Sequence, residues 1–197
     1  MTRPLMSVMT DPVPIGVRRI IEPAKAVARK IKRRLQPLPA YMVSPYRGHP
    51  SVTRSLVEGL QRLGANANYN PRSLEDVADT LVVLSGIEAL RQAIAFKKSG
   101  HVKTLFAGPN ILVFPSDHAD LIAAPEVDRC VTPCGLTSRM YVEDCPALEG
   151  RMQAWPAGVN TDYWKPDPAV RRDTVLIYEK QRKGPVGPVA PYKDLLE

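Results

Sequence analysis

The chain has 197 residues, of which 44% are hydrophobic and 24% charged, and its formal net charge is +7. This composition fits a globular protein with one sizeable core and excludes two complete domains, which need roughly 100–200 residues each. Residues 1–36 hold nine basic and two acidic side chains, whereas residues 37–197 hold 18 of each. The basic character therefore belongs to an N-terminal arm and not to the domain that follows.

The three cysteines are an odd number without paired C-x-x-C spacing, which favours free thiols in a reducing cytosol over a metal or redox site. No apolar run approaches the roughly 18 residues that a membrane span requires. The N-terminus also lacks the apolar core of a signal peptide. We therefore expect a cytoplasmic protein, with peripheral contact at the inner face of a membrane left open.

The basic arm divides into two parts. Residues 1–16 mix prolines with weakly apolar positions, which predicts no packed structure. Apolar residues then recur at helical spacing from 17 to 35, and Pro23 leaves residues 24–35 as the better helix. Among the cations on its other face are Arg29, Lys30, Lys32, Arg33 and Arg34. Three roles stay open for this basic face: exposure to solvent, contact with an anionic membrane surface, or contact with nucleic acid. The predicted helix has no aromatic residue that would anchor it in a bilayer or stack on a base.

From residue 37 onward, strand-like and helix-like segments alternate. Strand-like runs lie at residues 40–44, 65–70, 80–85, 102–107, 127–132 and 152–155, and a run at 111–114 competes with 102–107 for the fourth strand. Helical patterns lie at residues 51–63, 87–98, 119–124 and 137–143, and a short helix opens at Ser73. Ser51 is the expected N-cap of the first of these helices, and Gly64 is its expected C-cap.

Alternating strands and helices predict a largely parallel sheet with right-handed crossovers. The predicted fold class is α/β, with a Rossmann-like, doubly wound and mainly parallel sheet of about six strands over residues 37–160. Residues 161–172 are predicted to form a linker. Residues 173–197 are predicted to begin a second lobe, with one strand before a tail rich in proline and glycine.

The exit from the sixth predicted strand is the most distinctive stretch of the chain. It reads PAGVNTDYWKP over residues 156–166 and is followed by TVLIY at 174–178. Together with the strand, loop and helix at 40–63 and the spacing of six strands, this exit resembles the N-terminal lobe of GT-B glycosyltransferases of the group 1, family 4-like kind. The resemblance covers residues 38–180 and implies that Gly158, Asn160 and Trp164 belong to an interlobe hinge.

The resemblance implies transfer of a sugar from a nucleotide sugar to an acceptor, in a cleft between two Rossmann-like lobes. In that family the C-terminal lobe binds the nucleotide and carries a pair of glutamates, and none of those residues occurs in this chain. We therefore expect an acceptor-binding lobe that is inactive alone, as a short protein or as the front of a truncated one. Its expected acceptor is a carbohydrate or a glycolipid. We expect no cofactor in this chain itself. A separate partner chain is one way in which the missing nucleotide-sugar site is supplied.

Residues expected to bind the acceptor follow two of the predicted strands. Arg47, Gly48 and His49 come after the first strand, at the end of the sheet where open α/β folds bind ligands. A tight turn exposed to solvent explains these three residues equally well. Cys134 and Gly135 follow the fifth strand and are predicted to lie at the same edge.

Asp117 and His118 are the candidates for a catalytic role. They follow the strand-like run at 111–114, so we expect them on the carboxyl side of the sheet. An imidazole oriented by a neighbouring group accepts the proton of an acceptor hydroxyl. Polar surface is the commoner role of a single histidine in a loop, and that alternative stays open.

Two other classes of function also stay open. One is a non-catalytic binding or interaction module whose basic arm contacts a membrane or nucleic acid. The other is a nucleotide-binding enzyme of a different kind. It is disfavoured because no G-x-G-x-x-G or G-x-x-x-x-G-K-[ST] pattern follows any predicted strand.

Overall fold

The structure of the chain is a computed structural model. It describes residues 4–16, 49–109, 111, 114–156, 158, 161, 162 and 165, and within the arm it describes positions 21, 23–25, 27, 28 and 31. The chain divides into two compact units, Met1–Thr161 and Asp162–Glu197. The fold below belongs to the first unit. Of the second unit, only Asp162 and Lys165 are described.

Six parallel strands form one sheet in the described part of the first unit. They are β1 (Met6–Met9), β2 (Ala67–Tyr69), β3 (Thr80–Val83), β4 (Thr104–Ala107), β5 (Arg129–Thr132) and β6 (Met152–Ala154). Their order across the sheet is β2-β1-β3-β4-β5-β6, and every neighbouring pair is parallel. This arrangement confirms the predicted α/β, Rossmann-like fold class.

The first strand comes from the segment that the sequence pattern assigned to the arm. Met6 pairs with Ala67 of β2 on one side and with Thr80 of β3 on the other, so β1 lies inside the sheet. The last two residues of β1 are fully buried. The expectation that residues 1–16 lack packed structure is therefore wrong. A run of four residues is too short to show a period, and pairing with two neighbouring strands stabilises it.

Four helices have defined bounds in the described part of the unit: α1 (His49–Arg62), α2 (Ile87–Lys98), α3 (Ala119–Ile122) and α4 (Gly135–Asp144). Each corresponds to a predicted helix, but α1 begins before Ser51, so that residue is not its N-cap. Gly64 ends α1 as predicted. Its N–H donates to the Gln61 carbonyl at 3.0 Å, and the N–H of Ala65 donates to the Leu60 carbonyl at 2.9 Å, which is the Schellman pattern.

The structure corrects the prediction of a helix after Ser73 and decides which of two segments is the fourth strand. The segment after Ser73 forms a single 3-10 turn, Leu74–Asp76, and the Ser73 hydroxyl donates to the Asp76 carboxylate at 2.8 Å instead of capping an α-helix. The fourth strand is β4, because Ile111 and Phe114 lie outside any strand.

The two faces of the sheet are packed differently. The connections from β3 to β4, β4 to β5 and β5 to β6 all advance in one direction along the sheet. Because crossovers between parallel strands are right-handed, α2, α3 and α4 lie on the same face. The crossover from β1 to β2 advances the other way and places α1 on the opposite face. The core agrees with this assignment: Leu90 of α2 packs in the same cluster as Leu105, and Leu60 of α1 packs in the same cluster as Val82.

Candidate functional site

The carboxyl ends of the strands form one edge of the sheet, and the direction of winding reverses between β1 and β3. Open α/β sheets bind ligands in the crevice outside such a switch point. Here the topology puts that position at the loop after β1, which starts with Thr10 and Asp11, and the loop after β3, which contains Ser85 and Gly86. We call it the switch-point crevice.

Asn70, directly after β2, holds the loop that follows β1. Its Oδ1 accepts hydrogen bonds from the backbone N–H of Thr10 at 2.8 Å and of Asp11 at 3.2 Å. Its Nδ2 donates to the Thr10 hydroxyl at 3.1 Å and to the Asp11 carboxylate at 3.0 Å. The Tyr69 hydroxyl lies 2.9 Å from the Thr10 hydroxyl. Hydroxyl, amide and carboxylate groups therefore stand together at this edge, and Asp11 and Tyr69 are exposed.

Gly86 brings the loop after β3 against the loop after β1. Its φ is +90°, and a Cβ atom there would lie 2.9 Å from the carbonyl oxygen of Thr10. Glycine is therefore required for this approach. Because α2 begins at the next residue, its unbonded N–H groups and the positive end of its dipole lie beside the crevice.

Gly108, directly after β4, allows a second close approach at the same edge. Its φ is +110°, and a Cβ atom there would lie 1.9 Å from the carbonyl oxygen of Val131 in β5. Its N–H donates to the carbonyl of Val83 at 2.8 Å, and its peptide bond to Pro109 is cis. No side chain fits at this position.

Cys134 and Gly135 lie at this edge, after β5. Cys134 is the N-cap residue of α4 and Gly135 is its first residue. The Cys134 thiol is exposed and lies 3.4 Å from the hydroxyl of Thr137. Hydrogen bonds from the Thr137 hydroxyl and from the N–H groups of Thr137 and Leu136 lower the pKa of this thiol. The structure places both residues where the sequence predicted, and their role in acceptor binding stays a prediction.

Asp117 and His118 lie away from Cys134. The residue before them, Ser116, donates to the Asp144 carboxylate through its N–H at 2.8 Å and through its hydroxyl at 3.0 Å. Asp144 is the last residue of α4 and Cys134 precedes its first. The two ends of such a helix are about 15 Å apart. The structure therefore does not bring Asp117 and His118 together with Cys134, and the role of His118 as a base stays a prediction.

Several other residues singled out from the sequence lie outside the described residues, as does the predicted strand at 40–44. They are Arg47, Gly48, Asn160, Trp164 and the arm cations Arg29, Lys30, Lys32, Arg33 and Arg34. His49 is described as the first residue of α1, and Gly158 is described as exposed.

Neither a metal-binding cluster nor a membrane-spanning helix occurs in the described part of the chain. Among these residues, no group of three or more His, Cys, Asp or Glu side chains is arranged to hold a metal ion. In the same ranges, no helix has the length and apolar character needed to cross a bilayer.

Sequence reasoning missed the polar residues of the switch-point crevice. A signal for them was present: Asp11 and Asn70 each precede a proline, in TDP and NYNP, and each follows a short strand. An Asx-Pro pair after an apolar run marks the end of a strand. The sequence does not show, however, that β1 and β2 are neighbours in the sheet, so it could not predict that these two turns lie side by side.

A scan against protein-family models finds no matching family, and searches of curated proteins and of solved structures find no significant match. The sheet defines the class of protein, an all-parallel α/β fold of the Rossmann-like kind. A fold class hosts many activities, so function has to be argued from the crevice.

Proposed function

We propose that the six-stranded unit is the acceptor-binding lobe of a glycosyltransferase, in which it holds the molecule that receives a sugar from a nucleotide sugar. The observation that carries the proposal is the polar cluster of Thr10, Asp11, Tyr69 and Asn70 at the switch-point crevice. The resemblance of residues 156–166 to the exit of such a lobe supports the same function.

The chemistry of this cluster suits an acceptor rich in hydroxyl groups. A sugar hydroxyl both donates and accepts hydrogen bonds, and a carboxylate beside hydroxyl groups offers both kinds of partner. Asp11 accepts hydrogen bonds from the Asn70 amide and the Thr10 hydroxyl through Oδ2, which leaves its other carboxylate oxygen to accept a hydrogen bond from the proposed ligand. Tyr69 is 46% exposed, which leaves its ring and hydroxyl within reach of a ligand.

A nucleotide is a poorer fit to the same crevice. Phosphate-binding turns after a strand use several glycines, so that consecutive backbone N–H groups approach the phosphate closely. The loop after β1 begins TDPVPIG and the loop after β3 reads LSG, and neither carries such a pattern. The N-terminus of α2 by itself favours an anion, but the missing glycine pattern and the Asp11 carboxylate together favour a neutral, hydroxyl-rich ligand over a nucleoside diphosphate.

Calorimetric titration of the full chain tests this function. One panel holds methyl glycosides and glycolipid headgroups, and a second holds nucleoside diphosphate sugars. We expect saturable binding only from the first panel, weakened at least about tenfold by Asp11→Ala, because a hydrogen bond to a charged group contributes about 1.5–3 kcal/mol. Asp120→Ala, at an exposed aspartate of α3, is the matched control and leaves binding unchanged.

Three outcomes contradict the proposed function. They are binding of the nucleotide sugars alone, absence of binding throughout the first panel, and acceptor binding that Asp11→Ala does not weaken.

A second function, contact with an anionic membrane surface, is favoured by one observation on the arm. Ile21, Val27 and Ile31 are helical and are 42%, 58% and 54% exposed. The arm also holds nine basic residues over positions 1–36. Exposed aliphatic side chains on a helix rich in cations are typical of an interfacial amphipathic helix.

Flotation with phosphatidylglycerol-containing vesicles, compared with phosphatidylcholine vesicles, tests the membrane function. The double variant Val27→Asp, Ile31→Asp is expected to abolish flotation with the anionic vesicles. Leu63→Asp, at an 85% exposed leucine outside the arm, is the control and retains it. Deletion of residues 1–36 is unsuitable because it removes β1. Equal flotation of the double variant and the parent would rule out this function.

A further inference from the structure

A cleft with charged walls lies between α2 and the segment that leads from α3 to β5. Its volume is about 360 Å³, which falls within the range of about 300–1,000 Å³ that is usual for small-molecule sites. Charged and apolar side chains from both sides line it, among them Arg91, Ala95, Lys98, Leu121, Ala124 and Glu126. We call this feature the α2–α3 cleft.

The α2–α3 cleft is separate from the switch-point crevice. Helix α2 begins beside the crevice at Ile87 and ends at Lys98, which lines the cleft. These two residues lie about 16 Å apart along the helix axis. A ligand in the cleft is therefore not the acceptor proposed above, and the inference does not depend on the proposed function.

Arg151 holds the wall of the cleft that faces α2. Its Nη1 donates to the carbonyl oxygen of Ala123 at 2.8 Å. Its Nη2 donates to the carbonyl oxygen of Ala124 at 2.6 Å and to that of Val127. The N–H of Val127 donates in turn to the Ala124 carbonyl at 3.0 Å, which closes a tight turn around Glu126. The backbone that carries Glu126 is therefore fixed by the fold itself.

The carboxylate of Glu126 is largely buried and poorly paired. Its side chain is 19% exposed, and Oε2 is buried without a hydrogen-bond partner among the described residues. Oε1 lies 3.7 Å from Nζ of Lys98, which is an ion pair beyond the length of a hydrogen bond. A buried carboxylate oxygen without a donor is unfavourable, so such a group points to a ligand, an ion or a water molecule. The last torsion of glutamate turns over a broad range, which lets Oε2 reach a donor in the cleft.

We infer that the α2–α3 cleft binds a free α-amino acid with an aliphatic side chain. The ammonium group of the ligand donates to the Glu126 carboxylate, and its carboxylate accepts from Lys98. Two charge-assisted hydrogen bonds then replace one long ion pair. Lys98 is exposed and its stem is flexible, so its ammonium can move to make room.

The other charged groups favour a zwitterion over a simple amine. Arg91 and Lys98 lie on the same side of α2, and two cations repel an amine or a polyamine that carries no negative group. Arg91 lies 3.7 Å from Glu88, and both side chains are more than half exposed. An exposed pair of this kind contributes little, so the guanidinium is available to the ligand carboxylate. Asp120 also lines the cleft, but it is exposed and its carboxylate stays solvated.

The apolar part of the lining selects an aliphatic side chain. Ile94, Leu121 and Ala124 line the cleft and are each 6% exposed, and Ala95 lies beside them. None of these side chains offers a hydrogen-bond partner. An aliphatic group therefore loses no hydrogen bond there, whereas a polar side chain would lose its bonds to water.

Calorimetric titration of the full chain with leucine tests the inference. We expect saturable binding of leucine. Isoamylamine, which lacks the carboxylate, and 4-methylpentanoate, which lacks the ammonium, are each expected to bind at least about tenfold more weakly. Glu126→Gln is expected to weaken leucine binding by at least about tenfold for the same reason. Glu149→Gln, at an exposed glutamate outside the cleft, is the matched control and leaves the affinity unchanged.

Thermal denaturation distinguishes a binding role of Glu126 from a structural one. Without leucine, Glu126→Gln is expected to be at least as stable as the parent, because it removes a buried charge that lacks a hydrogen bond. With leucine, the melting temperature of the parent is expected to rise and that of the variant to stay the same. Lys98→Gln, at an exposed lysine, is expected to fold and to weaken leucine binding by at least about threefold.

Binding of leucine that requires Glu126, the ammonium and the carboxylate supports the inference. Absence of saturable leucine binding overturns it. Isoamylamine that binds as tightly as leucine overturns it in favour of a simple cation site. A Glu126→Gln protein that is less stable than the parent or unfolded, or one that binds leucine equally well, overturns it in favour of a structural carboxylate.

Discussion

The side chain of Asn70 holds both ends of Asp11: Oδ1 accepts the Asp11 N–H at 3.2 Å, and Nδ2 donates to the Asp11 carboxylate at 3.0 Å. These residues follow β2 and β1, which lie side by side in the sheet. A single amide thus joins two loops at the edge where open α/β sheets bind ligands, and it orients the carboxylate that we propose for acceptor binding.

Asn70→Ala is expected to lower the free energy of unfolding by about 1–3 kcal/mol, because it leaves the partners of one amide without hydrogen bonds. The φ of +46° at this position adds to the loss, since alanine tolerates a left-handed conformation less well than asparagine. Urea denaturation measures the change. Asn66→Ala, at a nearby exposed asparagine, is the control and is expected to change stability by less than about 0.5 kcal/mol. Equal effects of the two substitutions would show that the amide does not hold the loop.

Two glycine-to-alanine substitutions are expected to have opposite effects. At Gly59, inside α1, no atom lies within 4 Å of a new Cβ, so alanine is expected to stabilise by about 0.5–1 kcal/mol through its helix propensity. At Gly108 a new Cβ would lie 1.9 Å from the backbone oxygen of Val131, so alanine is expected to destabilise by about 3 kcal/mol or more. Thermal denaturation of both variants checks the pair. A Gly108→Ala protein as stable as the parent would contradict the close approach of β4 and β5.

Cys134 is expected to react with iodoacetamide long before Cys130 and Cys145. Its thiol is exposed, and its pKa is lowered by hydrogen bonds from Thr137. Burial raises the pKa of the Cys130 thiol to about 11, and Cys145 is buried as well. The thiolate is the reacting form, so the rate at Cys134 should rise with pH at lower values than for an ordinary thiol. Mass spectrometry of tryptic peptides over a pH series measures the three rates.

Thr137→Val supplies the control for this reactivity. Removal of the hydroxyl is expected to move the pH profile of Cys134 toward that of a free thiol without changing which cysteine reacts first. Labelling of Cys130 at a rate similar to that of Cys134 in the folded protein would contradict the burial of Cys130.

Asp128 is expected to make stability depend on pH in the acid range. Burial alone would raise the pKa of its carboxyl, but hydrogen bonds from Lys97 and from the Leu105 N–H, with the charge of Lys97, hold the pKa below its ordinary value of 3.8. A carboxyl whose folded pKa is lowered contributes stability that is complete above its unfolded pKa. The contribution is lost as the pH falls through the folded value.

Asp128→Asn is therefore expected to be less stable than the parent at pH 7, and the difference should shrink steadily from about pH 5 to pH 2. Urea denaturation at four pH values across this range measures it. Asp120→Asn, at an exposed aspartate, is the matched control. If the difference in the free energy of unfolding between Asp128→Asn and the parent stays constant with pH, ionisation of Asp128 does not stabilise the fold and the prediction is wrong.

Much of the fold could be predicted because helices and strands leave their period in consecutive residues. The apolar spacing of residues 87–98 predicted α2 with the bounds that the structure has, and the unbroken apolar run after Thr80 predicted a strand covered on both faces. Gly64 could be predicted as a helix end because its φ of +75° is a local requirement. The α/β class follows from these local signals together.

The candidate site could be predicted only in part. Cys134 and Gly135 follow a recognisable strand, so their place at the carboxyl edge was visible in the sequence. Asp117 and His118 follow an apolar run whose described residues, Ile111 and Phe114, lie outside any strand. The hydrogen bonds of Ser116 hold them near the far end of α4. An apolar run by itself does not distinguish a strand of the sheet from a segment packed against a helix.

The sequence by itself determined the class of fold, the positions of α1 to α4 and five of the six strands, because these depend on neighbours a few positions apart. Only the tertiary structure decided that Met6–Met9 is an inner strand and that Asp11 meets Asn70. A four-residue strand carries too little pattern to be recognised, and its partners lie 61 and 74 positions away along the chain. Strand pairing, and with it the switch-point crevice, is a long-range property that is formed when the sheet assembles.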